Sequence, residues 1–502
     1  MQTQKSSHVL KSVLTVTTFS ISTRAIAFLF KIYLSRTLGA EVMGLYQMAL
    51  TVFFMFIALS TGGISTVLSR KIAEQNTLEG GDKGLSLLSS SLVLGVGVSL
   101  ACTGLAYLIL PYTHLFITDS RAIPLLKIML PALTSTTFYI IIRGWFWGNK
   151  HFLDFSLSEL IEEILRVLFT LLFTSGLFSA ISGQTELALA FTISDFVVMG
   201  VIIVTFFYRG GRFTKGSSYK EILKPAMPLT TMKIFGSMVG TAIALILPQG
   251  LINGGMSISQ ATESVGRISA MANPLLFAPN AIITSLAVVL IPEMSERNAK
   301  KDYAGLLEEL KKGIELSLMV SGAFMVMYLS LGRELTTFLY ADTPSGAYLE
   351  QASILLLIMP LNHILSSALN SMGLEKQNFL SYSVGTILML IAMVTLPSRI
   401  GVQSVIVADF IFLITTVIGN VLILRKHING SLGILKSMLM VALFGVPCAY
   451  LGNLMHSLTL PLGATLSLII SLVVCFGSYA VMVVTIGNVN PIKMLKAKGK
   501  NA

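Results

Sequence analysis

Apolar runs of about 20 residues recur from one end of this 502-residue chain to the other. A helix of that length crosses the hydrocarbon core of a bilayer, whereas a barrel strand needs only about half as many residues. Backbone groups in hydrocarbon must pair within their own segment, so we expect the runs to be helices. Only 12% of the residues are charged, compared with about a quarter in soluble domains. The sequence therefore predicts an all-α integral membrane protein.

The apolar runs predict fourteen transmembrane helices. They are expected near residues 12–34, 44–68, 85–110, 124–147, 156–178, 187–208, 225–248, 263–291, 313–332, 350–372, 378–397, 402–424, 437–455 and 462–486. An even number of spans places both termini on one side. If that side is cytoplasmic, the inner segments contain 24 of the 35 Lys and Arg residues and the outer loops contain four. The positive-inside rule therefore predicts cytoplasmic termini, and the net charge of +11 reflects topology and does not indicate nucleic-acid binding.

A weak internal repeat divides the chain near its middle. A shift of 222 residues carries Gly44 onto Gly266, and further matches in the same order place Asp195 of the sixth span opposite Asp409 of the twelfth. Two six-helix halves around a central cleft are typical of transporters. We expect four parts, which are an N-terminal lobe at 1–208, a cytoplasmic linker at 209–224, a C-terminal lobe at 225–430, and two additional spans with a basic tail at 431–502.

Charged residues inside a membrane span usually face a cavity or a partner, because exposing one at the bilayer centre costs about 2.5–3.5 kcal/mol. In the fifth span, Glu159, Glu162, Glu163 and Arg166 lie within an arc of about 100° on one helix face. Two interpretations stay open. The stripe lines an aqueous cleft, with Arg166 held by Glu159 and Glu163, or the acids lie among cytoplasmic headgroups and Arg166 only pairs with them.

The first span carries Arg24 near the bilayer midplane and Lys31 on the same face seven residues later. Arg24 lies too deep to reach the headgroups easily, which favours a cavity, whereas Lys31 can extend to the outer interface. A guanidinium presents paired donors to phosphate, so Arg24 is a candidate anion ligand.

The sixth and twelfth spans carry Asp195 and Asp409 at matched positions. Each carboxylate is either a proton or cation site or the partner of a neighbouring arginine, and the sequence does not distinguish the two.

The eighth span contains Arg267, a second candidate anion ligand, followed by Asn273 and Asn280. Pro274 and Pro279 are expected to break or kink this helix, because proline has no N–H to donate. The freed carbonyls and the two amides then need polar surroundings such as a cleft, and we expect Asn273 and Asn280 to line it.

The sequence lacks the motifs of several common kinds of enzyme. No phosphate-binding loop of the G-x-x-x-x-G-K-[ST] type, no H-E-x-x-H sequence and no serine elbow is present. Cys102, Cys448 and Cys475 have no metal-binding spacing and are expected to be inert packing residues. We therefore expect a protein that is not an enzyme and needs neither metal nor cofactor.

Several motifs resemble one known family. They are TRAIAFLFKIYLSRTLGAEVMGLYQM at 23–48, EEILRV at 162–167, PLTTMKIFGSMVG at 228–240, SAMANPLLFAPN at 269–280 and VLIPEMSE at 289–296. The chain resembles the stage V sporulation protein B and polysaccharide transporter family. This family belongs to the multidrug/oligosaccharidyl-lipid/polysaccharide exporter (MOP) superfamily and is related to lipid II flippases.

The resemblance implies a V-shaped protein with two six-helix lobes that works by alternating access in the bacterial cell membrane. It implies transport of an undecaprenyl-pyrophosphate-linked cell-wall or spore-cortex precursor from the inner to the outer leaflet. Arg24 and Arg267 match cavity arginines of the lipid II flippases, and Arg166 and Lys31 are added here as candidate pyrophosphate ligands. Gly266 and Ala270 stand where those flippases have acids, and Ala58 stands where they have a further arginine. These departures favour the sporulation-type branch.

Three other functions remain as alternatives to the flippase. They are a drug or cation antiporter of the same superfamily, a membrane glycosyltransferase that uses a polyprenyl donor, and a scaffold of the sporulation machinery. The expected partners are the lipid-linked oligosaccharide, membrane lipid and cell-wall synthesis proteins, and not nucleic acid.

Overall fold

The computed structural model describes residues 2–78, 82–115, 117–177, 183–216 and 219–485. All regular elements in these ranges are helices, which confirms the all-α prediction. Contacts divide the chain into an N-terminal unit, Met1–Gly266, and a C-terminal unit, Arg267–Ala502. The predicted division into lobes at 209–224 stays a prediction. Most of the predicted basic tail, from residue 486 onward, lies outside the described residues.

The described residues of the N-terminal unit form ten α-helices. They are α1 (Gln2–Thr61), α2 (Ile64–Leu78), α3 (Asp82–Ile109), α4 (Ala122–Met129), α5 (Ala132–Gly148), α6 (Phe152–Leu172), α7 (Gly183–Tyr208), α8 (Tyr219–Thr241), α9 (Leu247–Asn253) and α10 (Ile258–Val265). A 3-10 segment follows α3, and π-helical segments follow α6, α8 and α10.

The C-terminal unit, as far as residue 485, also forms ten α-helices. They are α11 (Asn273–Leu276), α12 (Ala278–Ala299), α13 (Tyr303–Tyr340), α14 (Thr343–Ala352), α15 (Met359–Ser371), α16 (Glu375–Thr395), α17 (Pro397–Ile400), α18 (Gln403–Arg425), α19 (Ile434–Thr459) and α20 (Ala464–Thr485). Helices α19 and α20, the two additional spans of the sequence prediction, pack against each other and against α13.

Ten helices in the described ranges are long and apolar enough to cross a membrane, or up to 12 if each of two bent pairs is one span. The predicted count of fourteen is not confirmed. The stretch Val16–Asn76 is counted once, although its 61 residues extend for about 90 Å and are long enough for two crossings. Helix α6 is outside the count, because it carries four charged residues between positions 159 and 166.

Two interruptions of the predicted spans lie at glycine or proline positions. Within α1, Gly39 has the non-helical angles φ 76° and ψ 172°, and it separates the first predicted span from the second. In the eighth predicted span, the helix bends by 42° between Ile258–Leu276 and Ala278–Ala287. Both α11 and α12 have proline in their first turn, as expected for Pro274 and Pro279. The predicted proline kink is therefore confirmed.

Candidate functional site

The charged stripe of α6 is held together by ion pairs around Arg166. The guanidinium Nη2 donates to Glu162 Oε1 at 2.7 Å, and Nη1 donates to Glu163 Oε2 at 3.3 Å. These are the i,i+4 and i,i+3 pairs that the helical periodicity predicts, and both are confirmed. Only 18% of the Arg166 side chain is exposed, so the two pairs lie largely out of solvent.

A third carboxylate reaches the same guanidinium from a neighbouring helix. Asp195 of α7 accepts from Arg166 Nη2 at 3.5 Å and receives a short hydrogen bond from Thr136 Oγ1 of α5. The ring of Phe191 lies 5.0 Å from the Arg166 guanidinium carbon. We call Arg166, Glu162, Glu163, Asp195 and Thr136 the Arg166 cluster. Of the two roles left open for Asp195, the geometry favours that of partner to an arginine.

Glu159 does not hold Arg166, which corrects one expectation. It pairs with Arg143 of α5, whose Nη2 lies 2.9 Å from Glu159 Oε2. The physical reason is distance, because Glu159 lies seven residues, or about 10 Å along the helix, before Arg166. Arg143 also packs over the ring of Phe155, 4.1 Å from its centroid. The sequence analysis missed Arg143, whose partner is 16 residues away and outside any helical spacing.

Arg24 and Lys31 lie on α1, the helix that packs along α6. Lys31 is half-buried and within electrostatic range of Glu163. Arg24 is exposed and forms no ion pair within the described part of the chain. The two cations therefore differ. Lys31 lies near Glu163 of the α6 stripe, whereas the guanidinium of Arg24 has no carboxylate partner among the described residues.

Formal charges around the α6 stripe favour the acids. Four carboxylates (Glu159, Glu162, Glu163 and Asp195) face three cations (Lys31, Arg143 and Arg166). The side chains around the stripe therefore carry more negative than positive formal charge.

In the C-terminal unit, Arg267 has a carboxylate partner of its own. Its Nε lies 3.1 Å from Oδ1 and 3.2 Å from Oδ2 of Asp342, the residue that caps α14 through a 2.8 Å bond from the Ser345 N–H. Arg267 occupies the π-helical segment Gly266–Ala272, just before the predicted proline kink. Asp342 was not singled out from the sequence, since it is 75 residues from Arg267.

Three more predicted site residues lie in the C-terminal unit. Asp409 of α18 is half-buried and forms no ion pair with the described residues, although the phenol of Tyr348 is within electrostatic range. Asn273 and Asn280 each have a buried side-chain oxygen that lacks a hydrogen-bond partner in the described structure. Their expected role in lining a cleft stays a prediction.

The residues that would suit a metal do not cluster. Among the described residues, no group of three or more His, Cys, Asp or Glu side chains could hold a metal ion. Cys102, Cys448 and Cys475 are buried and free.

A family model described as polysaccharide biosynthesis protein matches residues 9–297, more than half of the chain. The chain belongs to this family. Among curated proteins, stage V sporulation protein B of Bacillus subtilis (strain 168) is 21% identical to this chain over 406 residues, which are 78% of each chain. Lipid II flippase MurJ of the same organism is 20% identical over 482 residues, covering 88% of this chain and 87% of the relative.

Solved structures show the fold of this polysaccharide biosynthesis family member. Lipid II flippase MurJ in an inward closed conformation matches with a TM-score of 0.71 and 16% identity over 93% of this chain and 98% of that chain. An inward-facing MATE family transporter of the MOP superfamily matches with a TM-score of 0.65 and 15% identity, covering 81% and 94%. The chain is thus a multi-pass membrane protein with the MOP superfamily fold, and the expected resemblance is confirmed. One curated relative is a lipid II flippase, in line with the expectation that the chain is not an enzyme.

Proposed function

We propose that this protein is a flippase that moves a polyprenyl-pyrophosphate-linked oligosaccharide from the inner to the outer leaflet by alternating access. Family membership and similarity to a sporulation protein and a lipid II flippase support this proposal. The observation that carries it is the state of Arg24, an exposed guanidinium in a membrane helix without a carboxylate partner among the described residues.

An arginine in that position needs an anion. A charge at the centre of a membrane helix costs about 2.5–3.5 kcal/mol on insertion scales, so an unpaired one is retained where its function requires it. The planar guanidinium donates two parallel hydrogen bonds to a phosphate, which makes a pyrophosphate a better match than a neutral sugar or a cationic drug. Arg24 would therefore bind the charged headgroup of the cargo while its lipid tail remains in the bilayer.

The other predicted ligands take secondary roles in this proposal. Arg166 is shared by three carboxylates, so its main role would be to hold α6 and α7 in place beside the cargo path. Lys31 would add positive charge along the face that carries Arg24. Arg267 already pairs with Asp342 through Nε, so in this proposal it is a secondary ligand that would contact the pyrophosphate at one stage of transport.

The direction of transport follows from the predicted topology. With both termini in the cytoplasm, the precursor would enter from the inner leaflet, where it is made, and leave at the outer leaflet, where cell-wall synthesis proteins would use it. The similarity to stage V sporulation protein B favours a spore-cortex precursor among such cargoes.

The test is a flipping assay with purified protein in liposomes. A fluorescent undecaprenyl-pyrophosphate sugar is placed in both leaflets, and a membrane-impermeant quencher reports the labelled headgroups that reach the outside. We expect flipping of the pyrophosphate-linked lipid and much slower movement of the same sugar on a neutral lipid. Loss of the difference between these two lipids, or transport of a cationic dye in their place, would contradict the proposal and favour the antiporter alternative.

Replacing Arg24 with Lys refines the test. Lysine keeps the charge but loses the paired donors, so we expect Arg24→Lys to retain part of the activity that Arg24→Ala loses. Equal activity of the lysine variant and the wild type would indicate that a positive charge is sufficient at this position and that the paired hydrogen-bond donors of the guanidinium are not required.

A further inference from the structure

Basic side chains are concentrated in the predicted cytoplasmic linker between α7 and α8. Residues 209–224 contain five Lys or Arg residues and one Glu, so the formal charge of this segment is 5 − 1 = +4. Four of the five cations are exposed and form no ion pair with a described residue. We call these four the linker cations, and they are Arg212, Lys215, Lys220 and Lys224.

Two acids in contact with the linker are paired with other cations. Glu221, the one acid of the linker sequence, has its Oε2 3.8 Å from Nζ of Lys71 in α2. Asp154 of α6 accepts from Arg209 twice, from Nε at 2.8 Å and from Nη2 at 2.9 Å. The linker cations therefore retain their full positive charge and their hydrogen-bond donors.

Another predicted inner segment of similar length, 296–312, has a different charge arrangement. It contains five cations and four acids, so its formal charge is 5 − 4 = +1. Three of its cations pair with acids of the same segment, which are Lys300 with Glu296, Arg297 with Asp302, and Lys312 with Glu308. An inner segment of this chain can thus satisfy the positive-inside rule with most of its cations paired. The unpaired charge of the linker calls for a partner outside the described protein.

Exposed aromatic side chains accompany the linker cations. Tyr208, at the end of α7, is 84% exposed, and Phe207, Phe213 and Tyr219 are exposed as well. Aromatic rings favour the headgroup level of a bilayer, where one part of the ring meets acyl chains and the other meets water. Basic and aromatic residues together are therefore the composition of a surface that contacts lipid headgroups.

The first half of the linker is attached to the N-terminal unit by specific contacts. The Thr214 N–H donates to Ser89 Oγ at 3.1 Å, and Ser86 Oγ donates to the Lys215 carbonyl at 3.2 Å, which fixes this segment to α3. The ring of Phe213 packs 5.2 Å from that of Phe206 in α7. Because these contacts already hold the backbone, binding a headgroup here requires little further ordering of the chain.

We propose that the linker cations and the aromatic residues beside them form a docking surface for anionic phospholipids of the inner leaflet. Lysine and arginine near such a leaflet are attracted to its phosphates, and this attraction is confined to about one Debye length. A phosphate that carries acyl chains satisfies the cations and the aromatic rings together, whereas a soluble phosphate satisfies only the cations. The occupant is bilayer lipid and not the transported cargo, so the proposal goes beyond the proposed function and does not depend on it.

The two tryptophans of the chain provide a built-in reporter. Trp145 and Trp147 lie at the end of α5, and the ring of Trp145 is 5.0 Å from that of Phe206, against which Phe213 of the linker packs. The purified protein is reconstituted in phosphatidylcholine vesicles that contain a minor fraction of phosphatidylglycerol, and one of the two lipids carries brominated acyl chains that quench tryptophan fluorescence on contact. We expect severalfold more quenching per molecule from brominated phosphatidylglycerol than from brominated phosphatidylcholine.

Two variants that each remove four positive charges locate the effect. Changing all four linker cations to Gln should abolish the excess quenching by phosphatidylglycerol. The matched control changes four exposed lysines of other predicted inner segments that form no ion pair with described residues, which are Lys301→Gln, Lys311→Gln, Lys376→Gln and Lys426→Gln. The control should keep the excess. The double variant of Arg212→Gln with Lys215→Gln should lose part of the excess, and it covers the case in which the fourfold variant does not fold.

Three results would overturn the docking surface. Equal quenching of the wild type by the two brominated lipids would show that no anionic lipid collects there. An equal loss of the excess in the linker variant and in its control would assign the effect to net charge. Loss of the excess when sodium phosphate replaces sodium chloride at equal ionic strength would indicate a site for soluble phosphate. The assay does not measure flipping, so its outcome is independent of whether the proposed transport function holds.

Discussion

Asp195 and Asp409 occupy matched positions in the two sequence halves, and their surroundings differ. Asp195 accepts a hydrogen bond from Thr136 and lies 3.5 Å from Arg166, whereas Asp409 has no cation beside it in the described structure. Asp195 is buried and Asp409 is half-buried. The comparison teaches that the repeat preserves the place of a carboxylate but not its counterion. In the N-terminal half, Asp195 pairs with an arginine of a neighbouring helix. In the C-terminal half, Asp409 has no such partner among the described residues.

The two arginines that resemble flippase cavity residues differ in a similar way. Arg267 is bound to Asp342, and Arg24 has no carboxylate partner in the part of the chain that the structure describes. Matching sequence positions therefore do not imply equal readiness to bind an anion. The following predictions test these differences, from the largest expected effect to the smallest.

Removing Arg166 should have the largest effect on stability. Arg166→Ala leaves Glu162, Glu163 and Asp195 without their shared cation, and breaking a buried ion pair in this way costs about 3–5 kcal/mol. Thermal unfolding in detergent can be followed with a thiol-reactive dye, since the three cysteines are buried and react on unfolding. Arg24→Ala, which strands no carboxylate, should unfold close to the wild-type temperature. Similar midpoints for the two variants would remove the distinction between the arginines.

Neutralising the two matched acids should separate them. Asp195→Asn loses charge-assisted hydrogen bonds and should destabilise the protein by about 1.5–3 kcal/mol. Asp409→Asn removes a half-buried carboxylate without a cation and should be neutral or slightly stabilising. The same dye assay measures both. Equal destabilisation by the two substitutions would break the comparison, because it would require a counterion for Asp409.

Asp342 combines two roles that substitutions can separate. Asp342→Ala removes both the N-cap of α14 and the partner of Arg267, and loss of a cap costs about 1 kcal/mol. Asp342→Asn keeps an oxygen that can cap the helix and loses only the ion pair. We expect the alanine variant to unfold at a lower temperature than the asparagine variant. Equal midpoints for the two variants, or the reverse order, would mean that the cap does not stabilise the fold.

The ion pair between Arg121 and Asp119, 2.8 Å apart, should have a small, pH-dependent effect on stability. Because the pKa of Asp119 is lower in the folded protein than in the unfolded chain, its ionised form stabilises the fold above the ordinary value of about 3.9. That contribution is lost as the pH falls through the lowered pKa. The difference in midpoint between wild type and Asp119→Asn should therefore be constant near neutral pH and shrink below about pH 4. A difference that grows on acidification would contradict the assigned direction.

Local features of the fold and site were predictable because helical spacing determines them. The stripe on α6 and the pairs Glu162–Arg166 and Glu163–Arg166 follow from residues three and four apart. The interruption of the eighth span follows from prolines that cannot donate a hydrogen bond. Each of these inferences needs only a few neighbouring residues.

Contacts between distant residues were not predictable in the same way. Arg143 with Glu159, Thr136 with Asp195, and Arg267 with Asp342 depend on which helices pack together, and no spacing in the sequence encodes that. The repeat aligned Gly44 with Gly266 as equivalent positions. It gave no indication that the segments around them touch, because equivalence under a repeat does not imply contact.

The most direct test of the proposed function compares two arginine variants in the liposome flipping assay. Arg24→Ala removes the guanidinium that the proposal assigns to the pyrophosphate, and Arg399→Ala removes an exposed guanidinium from a predicted outer loop. We expect both variants to insert and unfold like the wild type. The account predicts that Arg24→Ala abolishes flipping of the pyrophosphate-linked lipid and that Arg399→Ala retains it. Undiminished flipping by a folded Arg24→Ala protein would contradict the central claim.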